Sequence, residues 1–374
     1  MTKKIIIAGA GGIGRACGLI LLQHLGKDVS LSLADINEDQ CNQAESWIQE
    51  AYNQSVTLKK IVLPPNPATN WNPEGELLLD CTPGAFAADM ASIALRQNMH
   101  YANLTENVPA TKKIYQLVQN ATTGFALQTG LAPGYINQLG RLMASQYSEE
   151  HPGHTIDSIK MRVGALSQYA SSPGFYAFVW NPVGVSTEYL NQSEVIEQYR
   201  KVTKPSLSSR EQIILKGIRY EADLTSGGAA DLPEFYKNKV RQLNYKTLRY
   251  PGHFDYIDQM KRELGNDLSV DALLKKMRAD IPMHDQDRVL IYCAVNGKDK
   301  TGSSYEIIRH GEIYPAQYGS VQVTAIQRAT AASLAQTALL LLTNRYSGVL
   351  TQSRYPLQEF LNGDIIRKHY GSVI

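Results

Sequence analysis

Six residues near the start of the chain, Gly9-Ala10-Gly11-Gly12-Ile13-Gly14, constrain its fold more than any other segment. They follow a short β-branched run, Lys4–Ala8, and open a stretch with helical apolar spacing at Ile13, Cys17, Ile20, Leu21 and Leu25. Strand, glycines and helix in that order form the turn on which a dinucleotide pyrophosphate is held. Gly9 permits the tight turn, Gly11 lets backbone N–H groups approach the phosphates, and Gly14 lets helix and strand pack closely. The first helix then offers its N-terminal partial charge to an anion. A second strand, Val29–Ala34, leads into Asp35. A carboxylate there accepts hydrogen bonds from ribose hydroxyls and repels a 2′-phosphate, so NAD is expected over NADP.

The next hundred residues keep the same rhythm. Helices are expected at Asn37–Tyr52, Phe86–Gln97 and Val108–Gln119, and strands at Val56–Leu63, Glu76–Cys81, His100–Asn103 and Gly124–Thr129. The proline-rich stretch 64–75 is too broken for a regular helix. Alternation of this kind predicts a parallel sheet with helices on both faces, a doubly wound Rossmann domain. Ligands of such sheets lie beyond the carboxyl ends of the strands. That places Cys81, Thr82 and Pro83, Glu106 and Gln128 on the cofactor side.

After Gly130 the pattern changes. Strands are expected at 155–166, 175–180, 212–216, 219–224, 242–249, 288–295 and 304–309, with helices at 251–264 and 270–279. Asn296-Gly297-Lys298 reads as a hairpin turn. A second, α+β domain with a mixed sheet is the expectation, followed by a long helix at 323–344 rich in Ala and Leu.

Composition excludes several classes of function. Lys+Arg 37 against Asp+Glu 35 leaves a net charge of +2, with no electrostatic footprint for nucleic acid. The longest apolar stretch, 329–342, is interrupted by Thr, Ser and Gln and is too short to span a bilayer. Cys17, Cys41, Cys81 and Cys293 are far apart and form no metal-ligand spacing. A reducing, cytoplasmic setting without metal or membrane is expected.

Three further segments carry a family resemblance: Gly130-Leu131-Ala132-Pro133-Gly134, Lys246-Thr247-Leu248-Arg249-Tyr250-Pro251-Gly252-His253, and Ile326-Gln327-Arg328-Ala329-Thr330-Ala331. Behind the glycine fingerprint, this order resembles the saccharopine dehydrogenase-like family, and the second segment is similar to its lysine 6-dehydrogenase branch. The resemblance implies NAD or NADP as cofactor and oxidation of a C–N bond of an amino acid, or reduction of the matching imine. It implies domains at 1–131 and 132–322, with 323–374 packing back on the first, and a homodimer formed through the second. Ala132 departs from the family's frequent Gly-Leu-Asp-Pro-Gly. The alternative is a protein of the same fold that binds NAD(P) as a sensor or scaffold, without chemistry.

Candidate site residues follow from residue chemistry. The cofactor set is Gly9, Ala10, Gly11, Gly12, Ile13, Gly14, Asp35, Cys81, Thr82, Pro83 and Gln128. A planar guanidinium suits a substrate carboxylate, which singles out Arg249, at a strand end before a rigid turn. Tyr250 accompanies it, and Tyr176 and Trp180 share one face of the expected 175–180 strand as a pocket wall. Glu106 and His253 are the candidates for proton transfer. Glu106 reads equally as a helix first-turn acid, and His253 as a helix cap. Cys81, with no base near it in sequence, reads as a small core residue rather than a nucleophile.

Overall fold

The computed structural model describes residues 2–52, 58–343 and 345–371. Residues 56–57 of the expected third strand and Asn344 at the end of the expected last helix lie outside the described residues. The chain divides into two compact units. Residues 1–135, 316–323 and 327–371 form one, and 136–315 with 324–326 form most of the other.

The first unit is built on β1 (Lys3–Ala8), β2 (Val29–Asp35), β3 (Lys59–Val62), β4 (Leu77–Asp80), β5 (His100–Asn103) and β6 (Gly124–Ala126). A seventh described strand, Gly348–Leu350, joins from the far end of the chain. The order is 3-2-1-4-5-6, with the late strand beside β6, and all pairs are parallel. This is the doubly wound arrangement, which the fingerprint and the βα rhythm require. Helices α1 (Gly12–Leu25), α2 (Glu38–Tyr52), α3 (Pro67–Asn70), α4 (Ala87–Arg96) and α5 (Val108–Leu117) connect the strands. The central strands are apolar on both faces because both are covered. Ile6, Ala8 and Leu78 pack with residues of α4 and α5. On the opposite face Gly18 of α1 lies against Ile7, Leu31 and Ile48.

The second unit begins with α6 (Tyr135–Glu150), a helix the sequence reading did not find. Its first half buries polar Asn137 and Gln138 along with its apolar residues, so polarity there does not mark the exposed face. Strands β7 (Thr155–Ser167), β8 (Gln192–Glu197), β9 (Arg200–Pro205), β10 (Glu211–Leu215), β11 (Ile218–Leu224), β12 (Gln242–Arg249), β13 (Asp287–Lys298) and β14 (Ser304–Ile313) form a mixed sheet in the order 10-11-12-7-13-14. Strands β8 and β9 form a side ribbon on β12. Helices α7 (Pro182–Leu190), α8 (Leu232–Tyr236), α9 (His253–Leu264) and α10 (Val270–Asp280) complete the unit, and α7, α9 and α10 contribute to one aromatic-rich core with the sheet. Helix α11 (Ala325–Leu341) starts in this unit and continues into the first.

Two local expectations are corrected. Residues 175–180 form no strand, because Gly174 (φ +76°) and Phe175 (φ +51°) turn the chain just before it. Tyr176 and Phe178 are instead buried edge to face, with ring centroids 5.7 Å apart. The hairpin turn lies at 299–303, where the Asp299 carboxylate accepts from the backbone N–H groups of Thr301 and Ser303 at 2.8 and 2.9 Å. Gly297 is inside β13. A side chain there would meet the carbonyl of Thr155 at 2.5 Å, so its glycine serves a close approach rather than a turn.

Candidate functional site

The glycine fingerprint occupies the β1–α1 turn as a set of distinct spatial constraints. Gly9 has φ +92°, and a Cβ there would lie 2.6 Å from the Cys81 carbonyl oxygen. A Cβ on Gly14 would lie 1.9 Å from the Gly9 oxygen, so helix and strand meet with no room for a methyl group. Gly11 differs: nothing stands within 4 Å of its Cβ position. Gly11 is the N-cap of α1, and no side chain caps the helix. An open face beside the uncapped N-terminus of a 14-residue helix fits the pyrophosphate of a dinucleotide. Residues 9–14 thus fit an NAD(P) cofactor on geometry as well as pattern.

Asp35 ends β2 and reaches the same turn. Its Oδ2 accepts from the Ala10 N–H at 2.9 Å and its Oδ1 from the Asn37 N–H at 3.0 Å. The carboxylate therefore fixes the fingerprint loop, and it retains lone pairs for ribose hydroxyls.

The ends of β4, β5 and β6 form one hydrogen-bonded edge. Asp80, buried, accepts from the Thr82 N–H at 2.9 Å, the Thr82 hydroxyl at 2.6 Å and the Tyr101 hydroxyl at 2.7 Å. Burial raises the Asp80 carboxyl above the usual range, against the pull of these donors. Asn103 accepts from the Gln128 N–H at 2.8 Å through its side chain. Its backbone oxygen accepts from Thr129. The Gln128 backbone is left-handed, with φ +63°, and its carbonyl accepts from Gln352 Nε2 at 3.0 Å. The Cys81 thiol is pushed far up by burial, so it stays protonated and non-nucleophilic near neutrality. Pro83 leads into a short 3-10 turn, Gly84–Phe86. A Cβ on Gly84 would lie 2.4 Å from the Thr105 hydroxyl oxygen, so the segment after β4 lies against the one after β5.

Glu106 sits in that second segment. It precedes Asn107, the N-cap of α5, whose Oδ1 accepts from the Ala110 N–H at 2.9 Å. The first-turn alternative is thereby corrected: Glu106 lies outside the helix. Burial raises its carboxyl above the ordinary value.

The remaining candidates lie in the second unit. Arg249 is 1 % exposed rather than displayed by a turn. It donates from Nε to the Tyr189 hydroxyl at 2.8 Å and from Nη1 to the Leu248 carbonyl at 2.9 Å, with its guanidinium 4.6 Å from the Tyr176 ring centre. His253 is the first residue of α9, with Gly252 as N-cap, and it is fully buried. Its Nδ1 lies 2.7 Å from the Gly174 carbonyl and its Nε2 2.9 Å from the Tyr189 hydroxyl. A carbonyl only accepts, so Nδ1 carries the proton and Nε2 accepts from Tyr189. Burial and then the Arg249 charge lower the ring to about 3. The expectation of a general acid or base at His253 meets an enclosed, neutral ring with both nitrogens engaged. Tyr250 donates to the Gln168 carbonyl at 2.8 Å and accepts from Arg288 Nη2 at 2.9 Å. Trp180 is half-buried over α7, where a Cβ on Gly184 would lie 2.4 Å from its ring.

Two contributions escaped the sequence reading. Tyr189 joins Arg249 to His253, and no motif marks it. Gln327 places its side-chain Nε2 2.8 Å from the Cβ position of Gly12. The signal was present in Gly12 itself, a glycine at a fingerprint position that tolerates other residues. Thr330 lies 3.5 Å from the Cβ position of Gly130. The start of α11 therefore meets both the fingerprint and the 130–134 turn, and that turn closes through the Tyr135 N–H on the Gly130 carbonyl at 2.9 Å.

Comparison with known proteins identifies the family. Residues 5–125 match the saccharopine dehydrogenase NADP binding domain, and residues 130–363 match the saccharopine dehydrogenase C-terminal domain. Among solved structures, the chain is similar to apo saccharopine dehydrogenase (L-Glu forming) from Saccharomyces cerevisiae, at 13% identity and a TM-score of 0.72, over 98% of this chain and 96% of that one. It is also similar to homospermidine synthase from Legionella pneumophila in complex with NAD, at 12% identity and a TM-score of 0.70, over 100% of this chain and 91% of that one. At such identities these structures speak for the fold, and the two domain matches speak for the family. With its glycine cradle open beside α1 and both domains present in order, the chain belongs to the saccharopine dehydrogenase family and carries that family's NAD(P)-binding domain.

Proposed function

We propose that the protein is an NAD(P)-dependent oxidoreductase acting on a C–N bond of an amino acid or of its imine, with NAD preferred. The observation that carries this reading is the open cradle at Gly11, beside an uncapped helix N-terminus and within reach of Asp35. The nicotinamide supplies hydride transfer when bound. The chain's own residues do the rest. Backbone N–H groups at the start of α1 hold the phosphates, and Asp35 accepts from the ribose while fixing the loop. Thr82, its hydroxyl committed to Asp80, and Gln128 flank the cofactor at the strand ends. Glu106 handles the proton at the substrate nitrogen, because burial keeps its carboxyl closer to neutrality than an exposed glutamate.

In the second unit Trp180, half-buried over α7, is the wall residue that meets the substrate, and Tyr176, fully buried in the aromatic core, backs it. Arg249, Tyr250 and His253 hold that wall in place as positioning residues. The domain division at about residue 131, a homodimer and a cytoplasmic setting complete the reading. Four free cysteines and the lack of any described helix long and apolar enough to cross a membrane are compatible with it.

A panel of amino acids incubated with NAD and NADP tests the reading, with NADH or NADPH absorbance as signal and the reverse reaction run with amine and carbonyl pairs. Turnover with one of them supports it, and Glu106→Gln should remove the acidic limb of its pH profile. Tight nucleotide binding without turnover on any substrate would favour the sensor or scaffold instead. Sedimentation as a stable monomer at micromolar concentration would count against the dimer.

A further inference from the structure

Gly12 does not need to be glycine for the turn. It lies at a variable position of the fingerprint, and its φ is not in the left-handed region. A Cβ at this position would instead meet the side chain of Gln327. The side-chain amide nitrogen stands 2.8 Å from where a Cβ would be, with Cδ at 3.6 Å and Cγ at 3.8 Å. Even alanine would displace the amide. The chain thus brings a neutral N–H donor from α11 onto the first turn of α1, where phosphates are received. Gln327 belongs to the same compact unit as the fingerprint, so this placement is internal to one body.

We propose that Gln327 is a cofactor-positioning residue whose amide donates a hydrogen bond to the dinucleotide's pyrophosphate from above Gly12. The inference rests on the NAD(P) reading of the cradle and adds a side-chain donor to a site otherwise made of backbone. Chemistry favours glutamine here. A lysine or arginine would place a full positive charge against the helix N-terminus, whereas an amide adds a directional donor without that repulsion. A glutamate would put a negative charge against the phosphates. Thr330, three residues further along the same helix face, lies beside Gly130.

The test uses the full chain and two variants, Gln327→Met, which keeps length and bulk but has no donor, and Gln327→Glu, which replaces the donor with charge. NADH and ADP-ribose affinities are measured by fluorescence and calorimetry, and the melting temperature is read without ligand. Loss of a hydrogen bond to a charged group predicts about tenfold weaker binding of both ligands in Gln327→Met. Gln327→Glu should weaken both further, while each variant melts close to the wild type. Unchanged affinities overturn the proposal. So does weakening accompanied by a large fall in the ligand-free melting temperature, which would mark Gln327 as a packing residue. Weaker NADH with unchanged ADP-ribose would move the contact to the nicotinamide end and overturn the pyrophosphate assignment. A wild-type protein that binds neither NADH nor NADPH would overturn the cofactor reading itself, a result distinct from all of these.

Discussion

Arg249 donates from Nε to the Tyr189 hydroxyl at 2.8 Å, and Tyr189 passes its own proton toward Nε2 of His253 at 2.9 Å. The line ends at the Gly174 carbonyl, which accepts from Nδ1. Every donor in it points the same way, so no member can be reversed without stranding a neighbour. Tyr189→Phe would leave a buried charged donor and a buried ring nitrogen without partners. The expected cost is ~2–4 kcal/mol of stability, since each orphaned buried group costs ~1–3 kcal/mol. Arg249→Lys keeps the charge and loses the planar fork, and should also destabilise. Thermal melts of both variants check this, with NADH affinity expected to stay at the wild-type level. A normal melting temperature with a raised substrate KM in Arg249→Lys would instead make the guanidinium a direct substrate ligand.

The two fingerprint glycines should fail in opposite ways. Gly14→Ala drives a methyl group to 1.9 Å from a backbone oxygen, and overpacking of this kind costs ~1–3 kcal/mol or more. Gly11→Ala meets nothing within 4 Å and should fold normally. Its methyl group stands in the space assigned to the pyrophosphate, so NADH binding should fall at least tenfold. Measuring melting temperature and NADH affinity on both variants separates folding from binding. Equal affinity in Gly11→Ala and wild type would remove the cradle from its assigned place.

Much of this was legible in residues that local rules govern. The run at Ile5–Ile7 reads as a strand covered on both faces, and it is one, because β-branched residues between a charged start and a glycine turn leave few alternatives. Legibility failed where distant chain decides. The aromatic alternation at 175–180 imitates a strand, but left-handed Gly174 and Phe175 redirect it, and burial under helices rewards the same residues. Gly297 looks like a turn glycine and serves a close approach to Thr155. Tyr189 and Gln327 acquire their roles only when α7 meets α9 and α11 meets α1. Spacing in the sequence carries no sign of the first meeting, and the second leaves only Gly12, a glycine where the fingerprint accepts other residues.

Asp35 has two duties that one variant can separate. As an acceptor for ribose hydroxyls it should favour NADH over NADPH. As acceptor for the Ala10 N–H it holds the loop. Asp35→Ser should narrow the NADH-to-NADPH ratio, because the charge that repels a 2′-phosphate is gone. It should also lower NADH affinity, because a serine at the strand end cannot bridge Ala10 and Asn37 as the carboxylate does. Parallel titrations of both nucleotides give both results. Wild-type protein that binds NADPH at least as tightly as NADH would end the ribose assignment.

Asp287 gives the fold a pH dependence whose sign can be worked out. Its carboxylate is fully buried at the start of β13 and accepts from the Ala325 N–H at 2.6 Å and the Ile326 N–H at 2.8 Å, two of the free donors at the N-terminus of α11. Burial is the largest influence and raises the group from 3.8 to about 6, against those two hydrogen bonds. Between about pH 4 and pH 6 the folded protein therefore holds a proton that the unfolded chain has released. Stability from this group is fully present below about pH 4, falls as pH rises through about 6, and is level above that. A shift of this size corresponds to about 3 kcal/mol across the window. Asp287→Asn has no proton to lose and keeps one acceptor for the helix. Its stability curve should converge with, or overtake, that of the wild type as pH rises from 4 to 7. Urea unfolding of both proteins at several pH values measures the difference. Parallel curves, or a wild type that gains on the variant over that range, would mean that the two N–H groups outweigh burial and hold Asp287 ionised throughout.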